Sequence, residues 1–148
     1  MKIYLDMCIY NRPFDDQSQP RIMFESQCFV IILAHASSGD LKILNSFALE
    51  YENSKNAKND NMLIINDMLK NASEYIPYTD DIQKRAEQHE NYGIMALDAI
   101  HLACAESANA DYFLTCDDKM IRKARKVEGL NTKITTLSDF INKEIYHV

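Results

Sequence analysis

The hydrophobic period switches repeatedly along this 148-residue chain, from 2 to 3.6 and back, and that alternation restricts its folds more than any other feature. Ile3-Tyr4-Leu5 ahead of Asp6 predicts a short strand with a polar stop, and Asn11-Arg12-Pro13 with Gln19-Pro20 predict a long loop after it. From Arg21 to Ala36 the apolar residues recur at three- and four-residue spacing, and Ser37-Ser38-Gly39 ends that helix. Leu41 to Leu44 reads as a second strand, and Asn45-Ser46 caps a helix through Phe47, Leu49, Tyr51 and Glu52. Asn59 or Asp60 caps a third helix and Thr79 a fourth reaching Asn91, with Ile76-Pro77 between them. After Gly93, Ala96 to Ala108 is apolar almost all round, as a buried helix is. Tyr112 to Thr115 is a third strand, stopped by Cys116-Asp117-Asp118 and followed by a basic helix, Lys119 to Lys126. A fourth strand near Lys133 to Thr135 and a last helix capped by Thr136 or Ser138 complete the chain, with no internal repeat or linker.

Strands alternating with helices predict a central, mainly parallel sheet flanked by helices, a three-layer α/β sandwich formed by residues 1–148 as one domain. A chain of this length buries about two thirds of its unfolded surface, enough for one core. The longest apolar run, Cys28 to Ala34, is too short to span a bilayer, and Asp6 interrupts any signal-peptide core, so a cytoplasmic protein is expected. The four cysteines form no CxxC pair and are read as reduced thiols. A net charge of -6 argues against coating nucleic acid by bulk electrostatics, although acids gathered at one metal site would leave the remaining surface close to neutral.

In a parallel sheet, ligands bind outside the carboxyl ends of the strands. Asp6 ends the first strand and Asp117 lies just past the third, so the fold places both on one rim. On residue type alone, a turn or helix cap accounts for either, and a solvated helix face accounts for Glu52. Asp98 is odder, because it stands within the mostly apolar stretch Ala96 to Ala103, where burying an unpaired carboxylate would cost several kcal/mol. It needs a partner, a metal, or the free N–H groups of a first helical turn.

Asp6 after its strand, Ser46 with Glu52 six residues on, Leu97-Asp98-Ala99-Ile100-His101-Leu102-Ala103, and Phe113-Leu114-Thr115-Cys116-Asp117 together resemble the four acidic landmarks of PIN-domain nucleases, in order and spacing. The similarity spans nearly the whole chain, and its most specific piece runs from Leu97 through Asp118. The segment Asn11 to Gln17 resembles the first loop of one branch of PIN-like proteins. Met7 departs from the family, which often has Thr or Ser there to bond a neighbouring carboxylate. Glu50 rivals Glu52, and the two point about 200° apart on a helix, so only one faces the rim.

The resemblance implies a metal-dependent endoribonuclease, with Asp6, Glu52, Asp98 and Asp117 holding Mg²⁺ or Mn²⁺ and Asp118 as a further outer ligand. His35, His89, His101 and His147 are scattered, which disfavours zinc, and His101 is read as packed or hydrogen-bonded near Asp98. Lys119 and Arg122, within five cations in eight residues, and Arg12 on the first loop are candidate RNA contacts. Many small PIN proteins are toxins of toxin–antitoxin pairs, as in the VapC type, so an antitoxin partner and a homodimer are expected, with Phe24, Phe29, Met62 and Met68 either at the dimer contact or, equally well, in the core. The alternative is a PIN-like RNA- or protein-binding module with little or no activity. An aspartyl-phosphate phosphatase would need an Asp at position 8, where Cys8 stands, and no glycine-rich loop is present to cradle a nucleotide.

Overall fold

Five short strands line up in the order β3-β2-β1-β4-β5, every neighbouring pair parallel, in a computed structural model that describes residues 1–147. They are β1 (Lys2–Leu5), β2 (Lys42–Ser46), β3 (Glu74–Ile76), β4 (Tyr112–Leu114) and β5 (Lys133–Thr135). β1 lies in the middle, with Ile3 opposite both Ile43 and Tyr112, and its Ile3, Tyr4 and Leu5 are wholly buried. Tyr4 stacks on Phe113 of β4 with ring centroids 5.3 Å apart. Such near-continuous apolar strands are what a sheet covered on both faces requires.

The connections are helices: α1 (Met7–Asn11), α2 (Pro20–Ser37), α3 (Phe47–Ser54), α4 (Asn59–Lys70), α5 (Asp80–Glu90), α6 (Ala96–Ser107), α7 (Asp118–Ala124) and α8 (Leu137–Phe140). The caps at Ser46, Thr79 and Thr136 form as the sequence predicts, each side-chain oxygen accepting from the backbone N–H three residues on. At α4 the cap is Lys58, with no side-chain bond, so Asn59 and Asp60 both lie inside the first turn. There the free N–H groups and helix dipole favour an anion such as Asp60.

Two stretches depart from the sequence expectation. The loop after β1 holds α1 and a 3₁₀ turn, Arg12–Phe14, because Asp6 caps α1 through the Met7 N–H and Pro13 starts the tighter turn. β3 is a strand where the sequence predicts no element; only Ile76 of its three residues is buried, so it carries no apolar alternation, and its pairing to β2 defines it. Of the apolar residues expected at a homodimer contact or in the core, Phe29 is core and Met62 and Met68 are half-buried, which leaves Phe24 exposed. All four cysteines are free. No helix among the described residues is long and apolar enough to cross a membrane.

The strand order reverses at the β1–β4 neighbourhood: β2 and β3 extend to one side, β4 and β5 to the other. At that reversal the connections leave in opposite directions and open a crevice at the carboxyl ends of the strands.

Candidate metal centre

Asp6 sits at the mouth of this crevice and is held from three sides. Its backbone N–H donates to Leu114 O across the sheet at 3.0 Å. Its carboxylate accepts from the Met7 N–H at 2.8 Å and from the Thr115 hydroxyl at 2.7 Å. The hydroxyl that Met7 lacks is thus supplied by Thr115, from the neighbouring strand end. The Thr115 oxygen in turn accepts from the Asp117 N–H at 3.1 Å, which ties the two acidic strand ends together. Asp117 caps α7, with one carboxylate oxygen accepting from the N–H groups of Lys119 and Met120. An N-cap occupies one oxygen and leaves the other free.

Glu52 and Glu50 take opposite directions on α3, as their spacing requires. Glu50 accepts from the Asn45 side-chain amide at 3.1 Å. Glu52 turns inward and accepts from His101 Nε2 at 2.8 Å. His101 is fully buried, and its Nδ1 lies 2.6 Å from the Tyr4 hydroxyl, which lies 2.6 Å from Ser46 Oγ. A carboxylate only accepts, so Nε2 carries a proton and donates to Glu52. Ser46, Tyr4, His101 and Glu52 thus form one hydrogen-bonded chain that ends on the carboxylate. Burial pushes the Tyr4 hydroxyl pKa well up, which keeps it a donor.

Carboxylate oxygens of Asp6 and Glu52 and a nitrogen of His101 lie within 4.8 Å of one another. Both His101 nitrogens are already engaged, so the ring serves to position Glu52, and the atoms available to a cation are oxygens. Asp98 stands in the first turn of α6, partly buried. Burial, then the nearby negative charges of Asp6, Asp117 and Glu52, push its carboxyl up to about 6, with His101 opposing them. Each of the four acids thus feels or exerts the field of the others. Mutual repulsion of this kind is relieved by a bound cation, and an all-oxygen donor set suits a hard divalent ion such as Mg²⁺ or Mn²⁺.

Two further candidate residues, Asp118 and Arg12, have local partners. Asp118 pairs with Arg21, its two oxygens accepting from Arg21 Nη1 at 2.9 Å and Nη2 at 3.1 Å, and this bonding holds its carboxyl below the ordinary value. Arg12 donates to Glu25 at 2.9 Å and to Asp15 at 2.8 Å, so its guanidinium has two carboxylates against it. Lys119 and Arg122 lie exposed on α7, along a surface groove of ≈ 600 Å³ formed with Lys123, Arg125 and Lys126. Sequence reasoning overlooked the supporting roles of Tyr4 and Thr115. The latter left a signal, two residues before Asp117, whereas Tyr4 reads only as a core strand residue.

Fold and site together define a parallel α/β protein with carboxylates gathered at the switch point of its sheet. The PIN domain family model matches residues 26–126, more than half of the chain, and the protein belongs to that family. The match takes in Glu52, Asp98 and Asp117; Asp6 lies before it. Among solved structures, FitAcB from Neisseria gonorrhoeae shares the fold with a TM-score of 0.57 at 15% identity, over 92% of this chain and 98% of that one. VapBC2 from Rickettsia felis, crystallised bound to a DNA fragment from their promoter, does so with a TM-score of 0.58 at 16% identity, over the same shares. No curated protein matches the sequence.

Proposed function

We propose that this PIN-domain protein is a Mg²⁺- or Mn²⁺-dependent endoribonuclease, and that Asp6, Glu52, Asp98 and Asp117 are its catalytic carboxylates. One observation carries this: four acids from four different segments are drawn into one electrostatic neighbourhood, where burial, and then the charges of the other three, push the Asp98 carboxyl up to about 6. Folding does not need such an arrangement, and its cost makes sense if the acids hold a cation. When bound, Mg²⁺ or Mn²⁺ would neutralise phosphate charge and lower the pKa of a water.

The protein's own groups do the rest. Thr115 and the Met7 N–H fix the direction of Asp6. His101, backed by Tyr4 and Ser46, stops Glu52 from swinging to solvent. Helix α7 orients Asp117, and its exposed Lys119 and Arg122 begin two residues further on, placing positive charge where an RNA backbone would approach the acids. Arg12 and Asp118 already have partners, so phosphate contact falls first to Lys119 and Arg122, and cation binding to the other four acids. Geometry that is set before substrate arrives favours an in-line displacement by water.

An antitoxin protein is proposed as partner, since the fold is shared with proteins solved as FitAcB and VapBC2 complexes. Exposed Met23, Phe24 and Val30 on α2 form an apolar surface for such a partner or for a second copy of the chain. The test is cleavage of labelled single-stranded RNA in EDTA, Mg²⁺ or Mn²⁺, beside Asp98→Asn purified in parallel. Cleavage that needs the metal and disappears in the variant is expected. A wild-type protein that binds RNA or a partner equally well with either metal or EDTA, and never cuts, would overturn the nuclease in favour of a binding module.

A further inference from the structure

Five charged side chains of alternating sign, Asp15, Arg12, Glu25, Arg21 and Asp118, are bonded in that order from the 3₁₀ turn after α1, through α2, to the first residue of α7. Glu25 stands in the middle and is 7% exposed. Its Oε1 accepts from Arg12 Nε at 2.9 Å, and its Oε2 from Arg21 Nε, one turn earlier on α2, at 3.4 Å. A carboxylate buried to this degree is costly unless it is paired, and two arginines from different segments pair it. Neither arginine stops there. Arg12 Nη1 goes on to Asp15 at 2.8 Å, which ties the 3₁₀ turn to Glu25, while Arg21 sends both Nη groups to the entrance of α7.

At that entrance Arg21 grips both neighbours of Asp117. Nη2 donates to the Cys116 carbonyl at 2.9 Å and to Asp118 Oδ1 at 3.1 Å, and Nη1 donates to Asp118 Oδ2 at 2.9 Å. The Cys116 carbonyl and the Asp117 N–H belong to one planar peptide group. That N–H donates to Thr115 Oγ1 at 3.1 Å, so the group is bonded at its oxygen by α2 and at its nitrogen by the residue after β4. A peptide plane fixed at both ends sets the direction in which the Asp117 side chain leaves the backbone, and the Lys119 and Met120 N–H groups then take one of its oxygens. Exposed ion pairs contribute little stability, so Arg21 supplies geometry, with a rigid planar fork that addresses a carbonyl and a carboxylate together.

We propose that Arg21 is a positioning residue for Asp117, with Glu25, anchored in turn by Arg12, holding the guanidinium in place. The proposal rests on the nuclease function only for its effect on turnover; the hold on Asp117 exists with or without a reaction. Where a carboxylate must meet a cation and a phosphate in line, a misplacement of about 1 Å costs on the order of 10²-fold in rate, so this hold matters more to chemistry than to folding.

Amide hydrogen exchange on the full chain in EDTA tests the hold, and cleavage kinetics test its consequence. In Arg21→Ala the Asp117, Lys119 and Met120 amides should exchange about tenfold faster, with those of β1 unchanged. Cleavage of labelled single-stranded RNA in Mn²⁺ should lose about tenfold in kcat with KM unchanged. Glu25→Gln leaves Arg21 free to meet RNA but takes away its buttress, so it should reproduce both changes to a smaller degree. Exchange at the three amides within about twofold of wild type in Arg21→Ala overturns the proposal. So does a loss confined to KM, which would make Arg21 a direct RNA contact. If Glu25→Gln speeds exchange throughout β1, its fold is lost and Arg21→Ala decides alone. A wild-type protein that cuts no RNA removes the nuclease, and the exchange comparison still decides whether Arg21 holds Asp117.

Discussion

Asp98 shows how a single carboxyl records its surroundings. Its folded pKa, about 6, lies above that of an unfolded aspartate, roughly 3.9, so ionising it opposes folding as pH rises through 6, and the penalty is absent below the unfolded value. Asp98→Asn cannot ionise. In EDTA near neutral pH it should therefore be more stable than wild type by ~1 kcal/mol, allowing for solvent screening of a partly exposed group, and the gain should vanish by about pH 4. Thermal melts across that range check this, and a variant no more stable at neutral pH contradicts the cost of a buried charge among neighbouring acids. Tyr4 is the opposite case, a fully buried hydroxyl bonded to both His101 and Ser46. Tyr4→Phe keeps the ring stacked on Phe113 but strands His101 Nδ1, so urea unfolding should show a loss of ~1–3 kcal/mol. A loss under ~0.5 kcal/mol would mean the chain to Glu52 does not hold as described.

Helix α7 combines two tasks in one side chain, because Asp117 caps it and contributes charge to the acidic neighbourhood. These separate by substitution. Asn caps about as well as Asp, so Asp117→Asn should stay within ~0.5 kcal/mol of wild type yet lose metal-dependent cleavage, while Asp117→Ala should lose a further ~1 kcal/mol of stability. Urea unfolding beside the cleavage assay distinguishes the outcomes; an active Asp117→Asn would remove this residue from the site. At the same scale, α7 is latched to α2 by the Arg21–Asp118 pair, half-exposed on both sides. Exposed pairs contribute little, so the latch orients α7 more than it stabilises the fold.

For the molecule as a whole, folding brings the four acids together before any cation arrives, and a ligand that binds only the folded state raises its stability by mass action. Mg²⁺ at ~100 times its dissociation constant should stabilise wild type by ~2.7 kcal/mol, reversibly in EDTA, and Asp6→Asn should abolish the shift. A wild-type Tm indifferent to Mg²⁺ and Mn²⁺ would count against a metal centre. Much of this architecture was legible along the chain, because what makes a strand or helix is carried within a few residues: the period of Ile3-Tyr4-Leu5, the caps at Ser46 and Thr79, the polar stops after β1 and β4. Those local signals also placed Asp6 and Asp117 on one rim once the sheet was parallel. β3 was hidden because two of its three residues are exposed and only the edge of β2 makes it a strand. Glu52 and Glu50 could not be told apart locally, since His101, 49 residues on, decides which turns inward. The hydroxyl that steadies Asp6 comes from 109 residues away, and Asp118 is engaged by an arginine 97 residues distant. Sequence by itself determined most of the order of elements and the positions of the acids, whereas tertiary structure added β3 and α1 and chose the acids' partners, because a charged or polar side chain follows whichever donor packing brings within hydrogen-bond reach, and that proximity exists only after the chain has closed.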